Sequence, residues 1–237
     1  MSEKFSRTEA MMGKDAMKRL ASATICIFGI GGVGSYALEA IARAGVGNII
    51  IADHAVVDET NINRQLIALE STLGKSKTQV AVNRLKDINH DIVVTAVSEF
   101  VDSKNIPNII PDDADYIVDA IDSVSSKLAL IEYADIKNIP IISCMGTGNK
   151  LHPEKLQISD IYKTSVDPLA RVMRSELKKR GIKKLKVVWS DENPVLSGNQ
   201  LPLNKEGKKV PASISYVPSA AGLLLASEVV RAITGSK

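Results

Sequence analysis

The chain has 237 residues, of which 45% are hydrophobic and 24% charged, and its formal net charge is +3. These values are ordinary for a folded globular protein, and the length allows one large domain with a sizeable core. The small net charge excludes a polycation, so any binding of nucleic acid has to come from a local basic patch.

The sequence shows no targeting or membrane signal. Residues 1–20 are charged and have no apolar core, which argues against a signal peptide. The longest apolar stretch, residues 220–230, is shorter than the ~18 to 20 residues that span a bilayer. Cys26 and Cys144 lie in apolar runs, and the absence of a CxxC pair excludes a zinc site of that type. We therefore expect a cytoplasmic protein that does not contact a membrane.

Apolar runs and amphipathic stretches alternate along residues 23–148. Strands are predicted at 23–29, 48–53, 91–100, 114–122 and 139–146, and helices at 35–45, 75–89 and 123–138. Most of the strands are continuous apolar runs, which is typical of strands that are buried on both faces of a parallel sheet. The alternation predicts an α/β fold with a Rossmann-like, doubly wound and mostly parallel sheet.

The pattern changes after Gly148. A strand that leads into a loop is predicted at 155–164, and a second strand at 184–190. Helices are predicted at 167–182 and 219–235, and a flexible loop rich in Pro, Gly and Asn at about 191–211. We interpret residues 1–237 as a single domain. Residues 23–148 form its nucleotide-binding half, and residues 149–237 form a half for substrate binding and dimerisation that continues the same sheet.

The stretch FGIGGVGS, residues 28–35, has the GxGxxG spacing between a predicted strand and a predicted helix. Glycines allow a tight turn there, and the N–H groups at the start of the helix face phosphate oxygens. Asp53 closes the next strand, 19 residues after Gly34, where a carboxylate takes a ribose hydroxyl. NAD, FAD and ATP all fit these features.

Polar residues after the second strand favour ATP. Arg64 can neutralise phosphate charge, and Asn61 can orient phosphates or a metal ion. Lys77 opens the following helix, and Asp122 ends the fourth strand, where a carboxylate could hold Mg²⁺ on a triphosphate. A nicotinamide-dependent oxidoreductase has no evident use for Arg64, but it remains an alternative at this point.

The segments GIGGVGS, NINRQ, GKSK and DAID together resemble the ubiquitin-activating-like adenylyltransferases of the ThiF/MoeB type, over residues 5–235. The resemblance implies ATP contacts by Gly29, Gly31, Gly32, Gly34, Ser35, Asp53, Asn61, Asn63 and Gln65. It implies catalytic roles for Arg7, Arg64, Lys77 and Asp122, with Asp122 holding Mg²⁺. It also implies a homodimer in which Arg7 reaches the partner's ATP. We interpret Gly32 as a position kept bare for the approach of the substrate carboxylate.

Residues 147–182 and 187–194 resemble the branch of that family that acts on threonylcarbamoyladenosine next to the anticodon of tRNA. The resemblance implies a ligase-type reaction in which ATP adenylates the threonyl carboxylate and an internal nucleophile closes a ring, with net loss of water. This scheme needs no enzyme thiol, and no cysteine follows Cys144. The alternative is activation of the C-terminal glycine of a ubiquitin-like sulfur carrier, which would make a sulfur-transfer or carrier protein the partner.

A basic cluster supports a tRNA substrate. Residues 171–186 contain eight basic residues and one acidic residue, Glu176. The predicted tRNA contacts are Arg171, Arg174, Lys178, Lys179 and Lys183. The alternative is a solvated helix face with no ligand. His54, His90 and His152 have no ligand spacing and receive no role.

Overall fold

The computed structural model describes residues 3–196, 201–203 and 207–236. Seven strands form one sheet in the order β3-β2-β1-β4-β5-β7-β6. The strands are β1 Thr24–Phe28, β2 Asn48–Ala52, β3 Val93–Val97, β4 Tyr116–Asp119, β5 Ile141–Cys144, β6 Leu156–Asp160 and β7 Lys186–Ser190. All neighbouring pairs are parallel except β6 with β7. The predicted fold class is confirmed, including strands from the second half that extend the sheet.

Helices cover both faces of this sheet. They are α1 Ser6–Met12, α2 Lys14–Ser22, α3 Gly34–Arg43, α4 Lys77–Ile88, α5 Ile106–Ile109, α6 Val124–Lys137, α7 Pro168–Lys179 and α8 Tyr216–Thr234. Along β1, Ile25 and Ile27 pack with α2, α3, α4 and α8, whereas Cys26 and Phe28 pack with α5 and α6. This alternation explains why the strand reads as a continuous apolar run.

Several predicted boundaries were wrong, and two of them lie next to the pocket. The fourth strand ends at Asp119 and not at residue 122, because the Asp119 carboxylate accepts the N–H of Ile121 and turns the chain. The last helix begins at Tyr216, three residues before its predicted start at 219. Parts of the predicted loop 191–211, residues 197–200 and 204–206, lie outside the described residues. The division of the chain into two functional halves stays a prediction.

Helix α8 explains the apolar stretch near the C-terminus. By length and composition alone, its 19 residues are long and apolar enough to cross a membrane. The prediction that the apolar stretch is too short to span a bilayer was therefore too strict. Half of this helix is buried within the fold. Gly222 brings it against α3, since an added Cβ would lie 2.3 Å from the Val33 carbonyl oxygen. Packing between helices therefore accounts for its apolar character.

Candidate active site

A pocket of about 500 Å³ opens at the carboxyl ends of the parallel strands. It lies where β1 separates β2 from β4, which is the point at which an open α/β sheet binds its ligands. Residues following β1, β2, β4 and β5 line it, and residues 211–213 are also part of its wall. The strand order therefore brings the predicted glycine turn and three other strand ends to one site.

The glycine turn is shaped by backbone packing. Gly29 has a φ of +86°, and a Cβ there would lie 2.7 Å from the Ala120 carbonyl oxygen. A Cβ on Gly34 would lie 1.7 Å from the Gly29 carbonyl oxygen. At Gly31, in contrast, a Cβ would meet only the Gln65 Nε2 atom, at 3.9 Å. Gly29 and Gly34 are thus required by the fold, while Gly31 leaves open space towards the pocket.

The structure gives Gly32 a reason other than the predicted one. An added Cβ would lie 3.3 Å from both Arg64 Cγ and Pro218 Cβ. The bare position therefore makes room for the Arg64 stem and for the first turn of α8. A close approach of the substrate carboxylate is not needed to explain it.

Two glycine substitutions separate these roles. We expect Gly34→Ala to lower the melting temperature sharply, because backbone has to move to admit the Cβ. We expect Gly31→Ala to keep the wild-type melting temperature and to weaken ATP binding at least tenfold, because the methyl group enters the ligand space. Thermal melting and ATP titration measure both effects, and equal ATP affinity in Gly31→Ala and the wild type would contradict the assignment.

Asp53 joins the glycine turn to the end of β2. Its Oδ2 accepts the N–H of Ile30 at 2.7 Å, and its Oδ1 accepts the N–H of Ala55 at 2.8 Å. A carboxylate oxygen can accept more than one hydrogen bond, so both oxygens can still accept from a ribose. Asp53 lines the pocket at the predicted place.

Arg64 and Lys77 bring two cations to the pocket. Arg64 donates from Nη1 to the Thr60 carbonyl and to Asn63 Oδ1, both at 2.8 Å. Burial lowers the pKa of the Lys77 ammonium below its ordinary value, and the Arg64 charge lowers it too, against the opposing Asp53 and Asp122 carboxylates. A polyanion would offset the repulsion between the two cations. The electrostatics of the site are therefore suited to phosphates.

Asp122 lies in the turn after β4, at the exposed rim of the pocket. It is three residues beyond the strand end, but it still faces the site that the sequence predicted. Its negative charge opposes the lowering of the pKa of Lys77. This carboxylate and the two cations therefore line the same pocket.

Gln65 also lines the pocket, and its side chain is buried. Its Oε1 atom has no hydrogen-bond partner among the described residues. A buried acceptor without a donor is unfavourable, so this atom indicates a donor on a bound molecule. A nucleotide with hydroxyl or amino donors fits this requirement.

Five residues that were predicted to bind ATP or to act in catalysis lie outside the pocket wall, and Gly34, described above, is one of them. Ser35 Oγ accepts the N–H of Leu66, and Asn61 Oδ1 accepts the N–H of Asp58. Asn63 donates to the carbonyl of Ser213, in the segment that closes the pocket. Arg7 is exposed on α1. The hydrogen bonds of Ser35, Asn61 and Asn63 hold neighbouring loop segments in place, and for all five residues a direct contact with ATP stays a prediction.

Sequence reasoning gave no role to His54. The structure places it and Phe100 in the pocket wall, with their rings 5.3 Å apart in an edge-to-face arrangement. The position directly after Asp53 was the available signal for His54. His90 and His152 lie elsewhere, next to Asp91 and Glu154 respectively.

The two cysteines offer no nucleophile. Cys26 and Cys144 are both buried and unbridged. Burial raises the pKa of each thiol to about 12, so neither ionises near neutral pH. Thioester chemistry on either residue is therefore disfavoured.

Some residues of the basic cluster already have partners within the protein. Lys179 pairs with Glu176 at 2.6 Å, and the Arg174 guanidinium is half-buried and donates to Thr164. The remaining predicted contacts are exposed and have no ion-pair partner in the described part of the chain: Arg171, Lys178 and Lys183. These three form the free basic face, the name used below.

The glycine turn, the Asp53 carboxylate and the two cations define an ATP-type nucleotide site in a doubly wound α/β fold. The chain belongs to the ThiF family, whose model matches residues 5–237. It is 41% identical over 239 residues to the tRNA threonylcarbamoyladenosine dehydratase of Bacillus subtilis (strain 168), covering 97% of this chain and 94% of that protein.

Solved structures of the E. coli tRNA N6-threonylcarbamoyladenosine dehydratase share the fold. The complex with AMP matches with a TM-score of 0.90 at 34% identity, and it covers 98% of this chain and 94% of the other. The complex with ATP matches with a TM-score of 0.89 at 33% identity and the same coverage.

Proposed function

We propose that this protein catalyses the ATP-dependent dehydration of threonylcarbamoyladenosine in tRNA. The observation that carries the proposal is the pocket, which gathers Arg64, Lys77 and Asp122 around the glycine turn, and whose one cysteine, Cys144, is buried and unreactive. The similarity to tRNA threonylcarbamoyladenosine dehydratases over nearly the whole chain supports the same substrate.

The reaction has two steps. A threonyl carboxylate oxygen attacks the α-phosphorus of ATP, the α–β bond breaks, and pyrophosphate leaves. A nucleophile of the same modification then attacks the activated carbonyl, loses its proton, and expels AMP with the carboxylate oxygen. Attack of a carboxylate on a polyanion is opposed by like charge, so Arg64 and Lys77 contribute mainly by neutralising that charge.

Asp122 is the residue proposed to hold Mg²⁺ together with the phosphates. Among the described residues no group of three His, Cys, Asp or Glu side chains could hold a metal ion alone. An ion carried by ATP fits this arrangement, because Mg²⁺ commonly takes most of its ligands from phosphates and water. When bound, it would supply further neutralisation of phosphate charge.

We also propose a homodimer in the cytoplasm, where the tRNA substrate is found. Helix α1 buries none of its residues within the chain, and Arg7 is exposed on it. A helix of this kind is suited to contact a partner, and Arg7 is proposed to reach the partner's ATP.

Formation of AMP tests the reaction and separates it from the alternative. With ATP and Mg²⁺, we expect tRNA that carries threonylcarbamoyladenosine to stimulate release of AMP and pyrophosphate, and unmodified tRNA to have no effect. Stimulation only by a small carrier protein with a Gly-Gly tail would support the sulfur-carrier function instead. Oxidation of NAD(P)H without AMP would contradict both.

The free basic face is proposed to bind tRNA phosphates. We expect Lys178→Glu/Lys183→Glu to weaken tRNA binding at least tenfold and to reduce the slope of log affinity against log salt by roughly 1 to 2, because two phosphate contacts are lost. A filter-binding series in salt measures both quantities. Lys104→Glu/Lys137→Glu is the matched control on another surface, and equal affinities for the two double variants would remove the role.

A further inference from the structure

A charged cluster lies inside the fold, directly beneath the candidate active site. Asp119 at the end of β4, Lys127 on α6 and Ser143 on β5 all have no solvent exposure. Lys127 Nζ lies 2.9 Å from Asp119 Oδ2 and 3.2 Å from Ser143 Oγ. Ser143 donates to the same Asp119 oxygen. We name these three residues the buried triad.

Stability alone does not explain the buried triad. Removing two charges from water costs more than a typical ion pair returns, and apolar residues of similar volume often serve a core equally well. The neighbouring residues of β4 and β5 are apolar, including Ile117, Val118 and Ile142. An apolar pair would continue this core, so the triad requires a reason beyond core packing.

The triad holds the turn that follows β4. Asp119 Oδ2 accepts hydrogen bonds from Lys127 and Ser143, and Asp119 Oδ1 accepts the N–H of Ile121 at 3.1 Å. The chain thus turns immediately after the strand, and residues 120–123 line the pocket. Asp122 lies in this turn, one residue beyond the amide that Asp119 holds.

The same turn is packed against the glycine turn without spare space. The Ala120 carbonyl oxygen lies 2.7 Å from where a Cβ of Gly29 would be, and the Ala120 Cβ lies 3.2 Å from that of Gly34. A movement of the 120–123 turn would therefore change its distance to the phosphate-binding backbone. Closely packed interiors transmit such small displacements.

We infer that Asp119 and Lys127 are positioning residues, which with Ser143 fix Asp122 relative to the glycine turn. Neither of them lines the pocket, so they act through Asp122 and not on the nucleotide. The inference rests on the proposed function insofar as Asp122 acts in adenylation.

The test uses a variant that leaves no unpaired buried charge, Asp119→Ala/Lys127→Met. We expect its kcat for AMP formation to fall tenfold to a hundredfold, because misplacing a reacting group lowers the rate by a factor of this order. The KM for ATP should change less than about threefold. Asp119→Asn/Lys127→Met keeps an acceptor for the Ile121 N–H and is expected to recover part of the loss. Glu39→Gln/Arg84→Met neutralises an ion pair away from the pocket and serves as the control.

A double-mutant cycle separates positioning from general damage. In an Asp122→Ala background the Asp119→Ala/Lys127→Met change should add little further loss, because the group it positions is already absent. An equal fold-loss in both backgrounds would overturn the inference. If the variant does not fold, Ser143→Ala replaces it: a lower kcat at an unchanged melting temperature supports positioning, and an unchanged kcat contradicts it.

Hydrogen exchange distinguishes this inference from the proposed function. In the Asp119→Ala/Lys127→Met variant, amides of residues 120–124 should exchange at least tenfold faster, while those of β1 and β2 remain protected. This result, together with a wild-type protein that forms no AMP, would reject the proposed function and keep the positioning role. Unchanged exchange in the turn would reject the positioning role, whatever the activity.

Discussion

Asp122→Ala is expected to lower the rate of AMP formation at least a hundredfold while the fold remains intact. The carboxylate lies at the exposed rim of the pocket, so its removal leaves no cavity in the core. Loss of one preorganised charged contact in a site of this kind costs on the order of 10²- to 10³-fold in rate. Single-turnover measurement with ATP and modified tRNA gives the rate, and thermal melting checks the fold.

The control is Asp87→Ala, which removes an exposed carboxylate near the end of α4, outside the pocket. Its rate should stay within about twofold of the wild type, as is usual for a surface change. If Asp122→Ala also stays within that range, Asp122 has no catalytic role. The proposed contact between Asp122 and Mg²⁺ would then be rejected as well.

Arg64→Ala is the second substitution with a large expected effect, again about a hundredfold on kcat/KM. Arg64 lines the pocket, and its Nη1 is fixed by the Thr60 carbonyl and by Asn63. Arg64→Lys should recover little of the loss, because an ammonium group lacks the planar fork that makes these contacts and faces phosphates together. Steady-state kinetics with varied ATP measure kcat and KM separately.

The matched control for this position is Arg43→Ala, which removes an exposed guanidinium on α3. We expect it to leave kcat/KM nearly unchanged. A variant Arg64→Ala that turns over at the control's rate would show that phosphate charge is neutralised elsewhere. Lys77, the second cation of the pocket, would then be the first residue to test.

Much of the fold was predictable because the local sequence patterns agree with the strands and helices that form. Residues 24–52 combine two apolar strands, a glycine turn and a helix, and nothing in the tertiary structure overrides these signals. The end of β4 was not predictable in the same way. The run of residues 114–122 looks like one strand, and only the Asp119 side chain shows where it stops.

The candidate site was predictable where residues lie between the end of a strand and the first residue of the following helix. Asp53, Arg64, Gln65, Lys77 and Asp122 all line the pocket. Residues 211–213 were missed because long-range hydrogen bonds bring them there, from Asn63 to Ser213 and between Asn149 and Ala212. No local periodicity records such contacts.

Lys127 shows another limit of sequence reasoning. It lies in a predicted helix, where a lysine is expected to face water, and its partner Asp119 lies on a different element. The burial of this pair follows from how α6 packs on the sheet. A single sequence does not reveal that packing. The same reason separates Lys179 and Arg174, which have partners, from the free basic face.

The most direct test of the account is the mass of the product nucleoside. The protein is incubated with ATP, Mg²⁺ and tRNA that carries threonylcarbamoyladenosine, and the nucleosides are analysed by mass spectrometry under conditions that keep the ring closed. The account predicts that the modified nucleoside loses one water, in an amount equal to the AMP formed. An unchanged nucleoside mass, with a correctly folded protein that binds both ATP and the tRNA, would contradict it.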